Sequence, residues 1–137
     1  MKLDAVIDTG SEFTIGNSHL RDRLLRRGQR FEPVKAIGVT GKEVVLQLAR
    51  IPHLEIGRLR VSNLVVAFAD LPPFEVFGLS DEPALLLGTD LLKAFRRVSL
   101  DFHARKIRFQ PRICRGDRTV IRLLDSPPAP GAEECTG

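Results

Sequence analysis

The chain has 137 residues, 43% hydrophobic and 28% charged, proportions that fit one soluble domain with its own core. No apolar run is long enough to span a bilayer, and Met1-Lys2-Leu3 leads straight into patterned sequence rather than a secretory leader. The net charge of +4 biases the chain mildly toward anionic partners, but its aromatics are all Phe and its arginines scatter, unlike a nucleic-acid platform of interleaved basic and aromatic residues.

Residues 3–7 form a short apolar strand that runs into Asp8-Thr9-Gly10-Ser11, an aspartate on a turn built from a small hydroxyl and a glycine. Residues 12–15 resume an extended course. Asn17-Ser18 then offers a helix N-cap, Leu20, Leu24 and Leu25 make an apolar stripe, and Arg21, Arg23, Arg26 and Arg27 fall outside it, with Gly28 as the stop. Residues 31–37 and 43–51 read as strands joined by a hairpin tip, Gly38-Val39-Thr40-Gly41-Lys42. A second hairpin, 54–56 with 59–68, turns at Gly57-Arg58. Residues 70–83 read as a Pro-containing loop. Ala84-Leu85-Leu86-Leu87 is a fully apolar strand followed by Gly88, and Thr89 or Asp90 caps a short helix through Phe95. Residues 98–102 and 106–109 form a last hairpin over His103-Ala104-Arg105. Many short strands with two short helices predict an all-β, barrel-like domain.

The patterned body covers residues 1–110. Residues 111–137 form an Arg/Pro/Gly/Glu-rich tail whose one apolar island is Val120-Ile121-Arg122-Leu123-Leu124 and whose Ser126-Pro127-Pro128-Ala129-Pro130-Gly131 stretch has the composition of a partly disordered end. Cys114 and Cys135 both lie in this tail and belong to no metal-type cluster, so the redox compartment is undecided. His19, His53 and His103 lie far apart, with no ligand spacing, so no metal is expected. No Gly-x-Ser-x-Gly elbow suggests a serine hydrolase. Arg115-Gly116-Asp117 recurs by chance in many chains and carries no adhesive meaning here.

Three motifs occur in order: apolar residues into Asp8-Thr9-Gly10-Ser11, a Gly-bearing hairpin, and Leu85-Leu86-Leu87-Gly88 before a short helix. This series resembles the retropepsin-like aspartic proteases, particularly their bacterial members, over about residues 3–110. The resemblance implies a retropepsin-like acid protease β-barrel lobe acting on a peptide or protein substrate without a cofactor. By resemblance Asp8 is the catalytic carboxylate. Thr9 braces the facing aspartate loop, Gly10 admits the close approach of backbone to carboxylate, and Ser11 hydrogen-bonds the outer carboxylate oxygen. Gly38, Val39, Thr40 and Gly41 correspond to the flap that closes over substrate, with Val39 and Thr40 nearest to it. Leu86, Leu87 and Gly88 form the strand crossing behind the aspartate loop. Asp90, at the head of the following helix, has a structural place, as a cap or first-turn acid.

One aspartate is half of such a site. The family completes it by homodimerisation or by fusing two lobes. Little chain precedes Asp8, which suits either a trimmed homodimer or the second lobe of a longer protein; a longer precursor would also be where a leader for periplasmic or secreted placement resides. Nucleic acid and membrane insertion are not expected. Three other readings stand beside the protease: an ordinary Asp-Gly turn, an inactive lobe of the same fold serving as a peptide-binding or assembly module, and a basic β domain binding an anionic partner.

Overall fold

The computed structural model describes residues 1–38, 40–111 and 120–123. Val39, both cysteines and the Pro-rich stretch at 126–131 lie outside them. In chain order the elements are β1 (Asp4–Ile7), β2 (Ile15–Gly16), α1 (Ser18–Arg26), β3 (Glu32–Ile37), β4 (Glu43–Ile56) and β5 (Leu59–Phe68). Then come α2 (Pro72–Val76), β6 (Ala84–Leu87), α3 (Thr89–Leu92), β7 (Phe95–Asp101), β8 (Lys106–Pro111) and β9 (Val120–Leu123). Short helices punctuate a chain that is mostly strand, so the fold class is all-β, as its patterning predicts. The chain forms two units, one of Met1–Arg50 with Val65–Thr89, the other of Ile51–Leu64 with the residues from Asp90 onward.

The larger sheet has the strand order β1-β6-β2-β5-β4-β3. The interior strand β6 is apolar at every position because it is buried on both faces, and all four of its side chains are hidden from solvent. It pairs in parallel with β1, Asp4 opposite Ala84 through Ile7 opposite Leu87, and antiparallel with β2 on its other edge. Phe74 of α2 packs with Ala84 and Leu86, and Val6, Ile15, Leu71 and Leu79 close around them. Gly16 is required by close packing: a Cβ there would lie 2.7 Å from the Phe68 ring and 3.1 Å from Leu20. Phe68 in turn meets Phe31 edge to face, ring centroids 5.3 Å apart.

Asn17 ties α1 to β6. It is fully buried, and its side chain makes four hydrogen bonds. Oδ1 accepts from Leu20 N–H (3.0 Å), capping the helix, and from Ala84 N–H (3.2 Å) at the start of β6. Nδ2 donates to the carbonyls of Leu79 (3.0 Å) and Glu82 (2.7 Å). One amide thus satisfies every polar atom it buries and fixes the segment that delivers β6.

β9 pairs antiparallel with β5, Leu59 opposite Leu123 through Ser62 opposite Val120, so residues 120–123 of the tail's apolar island are a strand. The hairpin of β7 and β8 forms a separate two-stranded sheet, with Val98 opposite Phe109 and Leu100 opposite Ile107. Phe95 and Phe109 pack at its root, centroids 4.8 Å apart.

Four local expectations are corrected. Residues 70–83 contain a helix, α2, because Pro72 and Pro73 stand at its first positions, where the missing N–H costs nothing. β4 is one strand of 14 residues that continues through Pro52 rather than ending at 51. Within 12–15 only Ile15 enters a strand. α3 stops at Leu92, and Phe95 already belongs to β7. In addition, Leu25 of the α1 stripe is exposed, leaving Leu20 as its buried member and Leu24 partly covered.

Replacing Asn17 by Ala removes the cap and strands two carbonyls and the Ala84 N–H. Urea unfolding is expected to show a loss of about 3 kcal/mol. A loss below about 1 kcal/mol, the worth of a cap alone, would contradict the clamp to β6.

Candidate active site

The parallel pairing of β1 with β6 carries the chain into the aspartate loop. The last rung extends one residue beyond β1: Asp8 N–H donates to the Leu87 carbonyl at 3.0 Å. The chain then turns, with Ser11 N–H reaching the Asp8 carbonyl at 3.3 Å. Gly10 N–H donates to Asp8 Oδ1 at 3.0 Å, which fixes the carboxylate against its own loop. Gly10 carries no Cβ where one would sit 3.3 Å from that same oxygen. Gly10 N–H is the sole hydrogen-bond donor to the carboxylate among the described residues. Asp8 is half-buried, while Thr9 and Gly10 are exposed.

Behind the loop, β6 leads into a very close backbone crossing. A Cβ on Gly88 would come within 2.4 Å of the carbonyl carbon and oxygen of Phe13 and 2.9 Å of Thr14 N. These are backbone atoms, which cannot rotate away as a side chain can. Two hydrogen bonds fasten the crossing. Gly88 N–H donates to the hydroxyl oxygen of the fully buried Thr14 (3.2 Å), and Thr89 N–H donates to the Ser11 carbonyl (2.9 Å). The aspartate loop is therefore held from below by the strand end that the Leu-Leu-Gly motif marks.

The Ser11 hydroxyl differs from its expected placement. It donates to the Phe13 carbonyl at 2.8 Å and so braces the loop's exit rather than the Asp8 carboxylate. Thr14 was not singled out in the sequence. Its signal is a small hydroxyl residue placed just before a buried strand, a weak cue that only the close approach of Gly88 explains.

The hairpin of β3 and β4 carries the candidate flap. Its strands pair from Glu32 opposite Leu48 to Ile37 opposite Glu43. At the tip, Gly38 N–H donates to the Lys42 carbonyl and Gly41 N–H to the Gly38 carbonyl, each at 2.9 Å. Gly41 has φ +76°, a left-handed conformation that costs glycine nothing. Thr40 is exposed, and Val39 lies outside the described residues. Val34, Ile37, Val44 and Val45 are all exposed along the arms, an apolar content unusual for a projecting hairpin.

The other acidic candidates have structural occupations. Asp90 accepts from Leu91 N–H (2.7 Å) in the short α3. Asp101 accepts from His103 and Ala104 N–H and so closes the β7–β8 turn. Among the described residues no three His, Cys, Asp or Glu side chains converge as metal ligands, and no helix is long and apolar enough to cross a membrane.

Gly88→Ala forces backbone apart at the Phe13 crossing and is expected to destabilise the protein by about 3 kcal/mol, read as a lowered thermal midpoint. An unchanged midpoint would show that the crossing is not close-packed.

The family model described as Aspartyl protease matches residues 2–91. That span covers more than half the chain and takes in β1, the aspartate loop, the hairpin, β6 and Gly88. No curated protein and no solved structure matches the chain. The matched span and the Asp8 loop seated on the β6–Gly88 crossing together make this chain a member of the retropepsin-like aspartyl protease family.

Proposed function

We propose that this lobe is half of an aspartic endopeptidase. Asp8 supplies one carboxylate, and an equivalent lobe, in a second copy of the chain or elsewhere in a larger protein, supplies the other. The observation that carries this reading is the seating of Asp8: its Oδ1 is held by Gly10 N–H, its loop is pinned to Leu87 and Thr89, and no cation among the described residues neutralises it. A merely structural Asp turn would not need the backbone crossing at Gly88 beneath it.

The chemistry follows from bringing two such carboxylates together. Two like charges at hydrogen-bond distance cannot both ionise cheaply, so the pair shares one proton, as aspartic protease dyads do. The ionised member takes a proton from a water between them while the protonated member polarises the scissile carbonyl. Attack of the water gives a tetrahedral intermediate, and the proton then passes to the leaving amine as the C–N bond breaks. Thr9, exposed on the loop, braces the facing lobe in this reading. The hairpin of β3 and β4 acts as the flap, with Gly38 and Gly41 providing its hinge and Thr40 and Val39 at the substrate. Closure excludes water and strengthens every polar contact inside.

Cleavage of a denatured protein by the full chain tests this. Activity is expected at mildly acid pH, falling on either side as the shared proton is lost or a second is gained. It should be blocked by a statine-containing peptide and reduced at least about a thousandfold by Asp8→Asn. Cleavage that survives Asp8→Asn would remove Asp8 from the reaction. Binding of the statine peptide without cleavage under any condition would favour the inactive peptide-binding module.

A further inference from the structure

Positive charge is locally in excess at two places, residues 21–30 with five arginines against Asp22, and the β7–β8 hairpin, the one that also bares an apolar tip. Residues 95–110 carry five cations, Arg96, Arg97, Arg105, Lys106 and Arg108, against one carboxylate, Asp101. That excess of four equals the net charge of the whole chain, so the remaining residues balance to zero. The scatter of arginines read from the sequence thus hides a local imbalance. All five cations are exposed, and none pairs with a carboxylate among the described residues. Asp101 is turned to its own loop, accepting from His103 and Ala104 N–H.

The same hairpin is apolar at its tip. In its register Val98–Phe109 and Leu100–Ile107 share one face, while Arg97–Gln110, Ser99–Arg108 and Asp101–Lys106 share the other. The apolar face is covered at the root, where Phe95 is buried. Toward the tip it opens: Leu100 is 50% exposed, Ile107 48%, and Phe102 87%. A hairpin with a bare apolar tip and cations along its shaft gains nothing from water alone.

We propose that the β7–β8 hairpin is a membrane-surface anchor that enters an anionic phospholipid layer tip first. Phe102, Leu100 and Ile107 bury among the upper acyl chains. Arg96, Arg97, Arg105, Lys106 and Arg108 sit at headgroup depth, their long stems letting the charged ends reach phosphate from either face of a hairpin only two strands wide. The charge selects this occupant. A second copy docking hairpin to hairpin would place five cations against five. Nucleic acid would satisfy the cations and stack a base on Phe102, but it would leave Leu100 and Ile107 bare to water. The proposal departs from the sequence expectation of no membrane insertion, and it is independent of whether Asp8 is catalytic.

Vesicle co-sedimentation of the full chain tests it, comparing phosphatidylglycerol–phosphatidylcholine vesicles with pure phosphatidylcholine. Binding is expected for the anionic vesicles alone and should weaken with added salt. Phe102→Ala should lower the partition coefficient roughly tenfold. Its side chain is nearly bare, so the fold and its thermal midpoint should be unaffected. The double replacement Arg97→Gln with Arg108→Gln should lower it roughly twentyfold. Equal binding to both vesicle types, or to neither, overturns the proposal. Binding insensitive to Phe102→Ala yet competed by a single-stranded oligonucleotide also overturns it, because the hairpin would then be a polyanion site.

Discussion

The structure depends on one crossing of two backbones. Where β6 ends, Gly88 lies so close to Phe13 that no side chain fits between them. The contact sets the height of the segment between the aspartate loop and β2. The Thr14 hydroxyl and the Ser11 carbonyl then lock it with two hydrogen bonds. Because β6 also pairs with β1, the strand entering the loop and the segment leaving it are both referenced to the same element. Asp8 is thereby positioned by main chain, which is stiffer than any side-chain scaffold.

That stiffness has to be delivered to the right place, and Asn17 does so. Its buried amide binds the α1 cap, the start of β6 and two carbonyls of the preceding loop. Core packing of Phe74 against Ala84 and Leu86 holds the same strand from another side. The opposite design governs the β3–β4 hairpin, whose arms are largely exposed and whose tip turns through a left-handed glycine. Few buried contacts mean low local stability, which agrees with the flap role proposed for this hairpin. A rigid carboxylate and a compliant hairpin are both built from short β segments, and they differ in how much backbone each buries.

Much of this was legible before the structure. An uninterrupted apolar quartet at 84–87 marks a strand buried on both faces, and Asn17 before a leucine stripe marks a helix start. Asp8-Thr9-Gly10 with Leu86-Leu87-Gly88 pointed, through resemblance, to the family that the match over residues 2–91 shows. The misreadings have local causes. Pro72-Pro73 suggested a loop because proline breaks helix interiors, yet it opens a helix here. Pro52 suggested the end of a strand that in fact continues. Asn63, with φ +58°, shifts the burial phase of β5 so that Leu59 and Val61 are hidden before it and Leu64 and Val66 after it, a change no simple alternation contains. Beyond the crossing that the resemblance implied, long-range hydrogen-bond partners were not legible. Nothing near Thr14 announces Gly88, and nothing in Ser11 tells whether its hydroxyl turns to Asp8 or to Phe13.

Under the proposed function Asp8 is one member of a pair, its partner carried by an equivalent lobe. Titrating the active protein with a tight-binding statine peptide counts sites directly. The account predicts an end point of one inhibitor for every two aspartate lobes. One inhibitor bound per single lobe, with full inhibition, would contradict it.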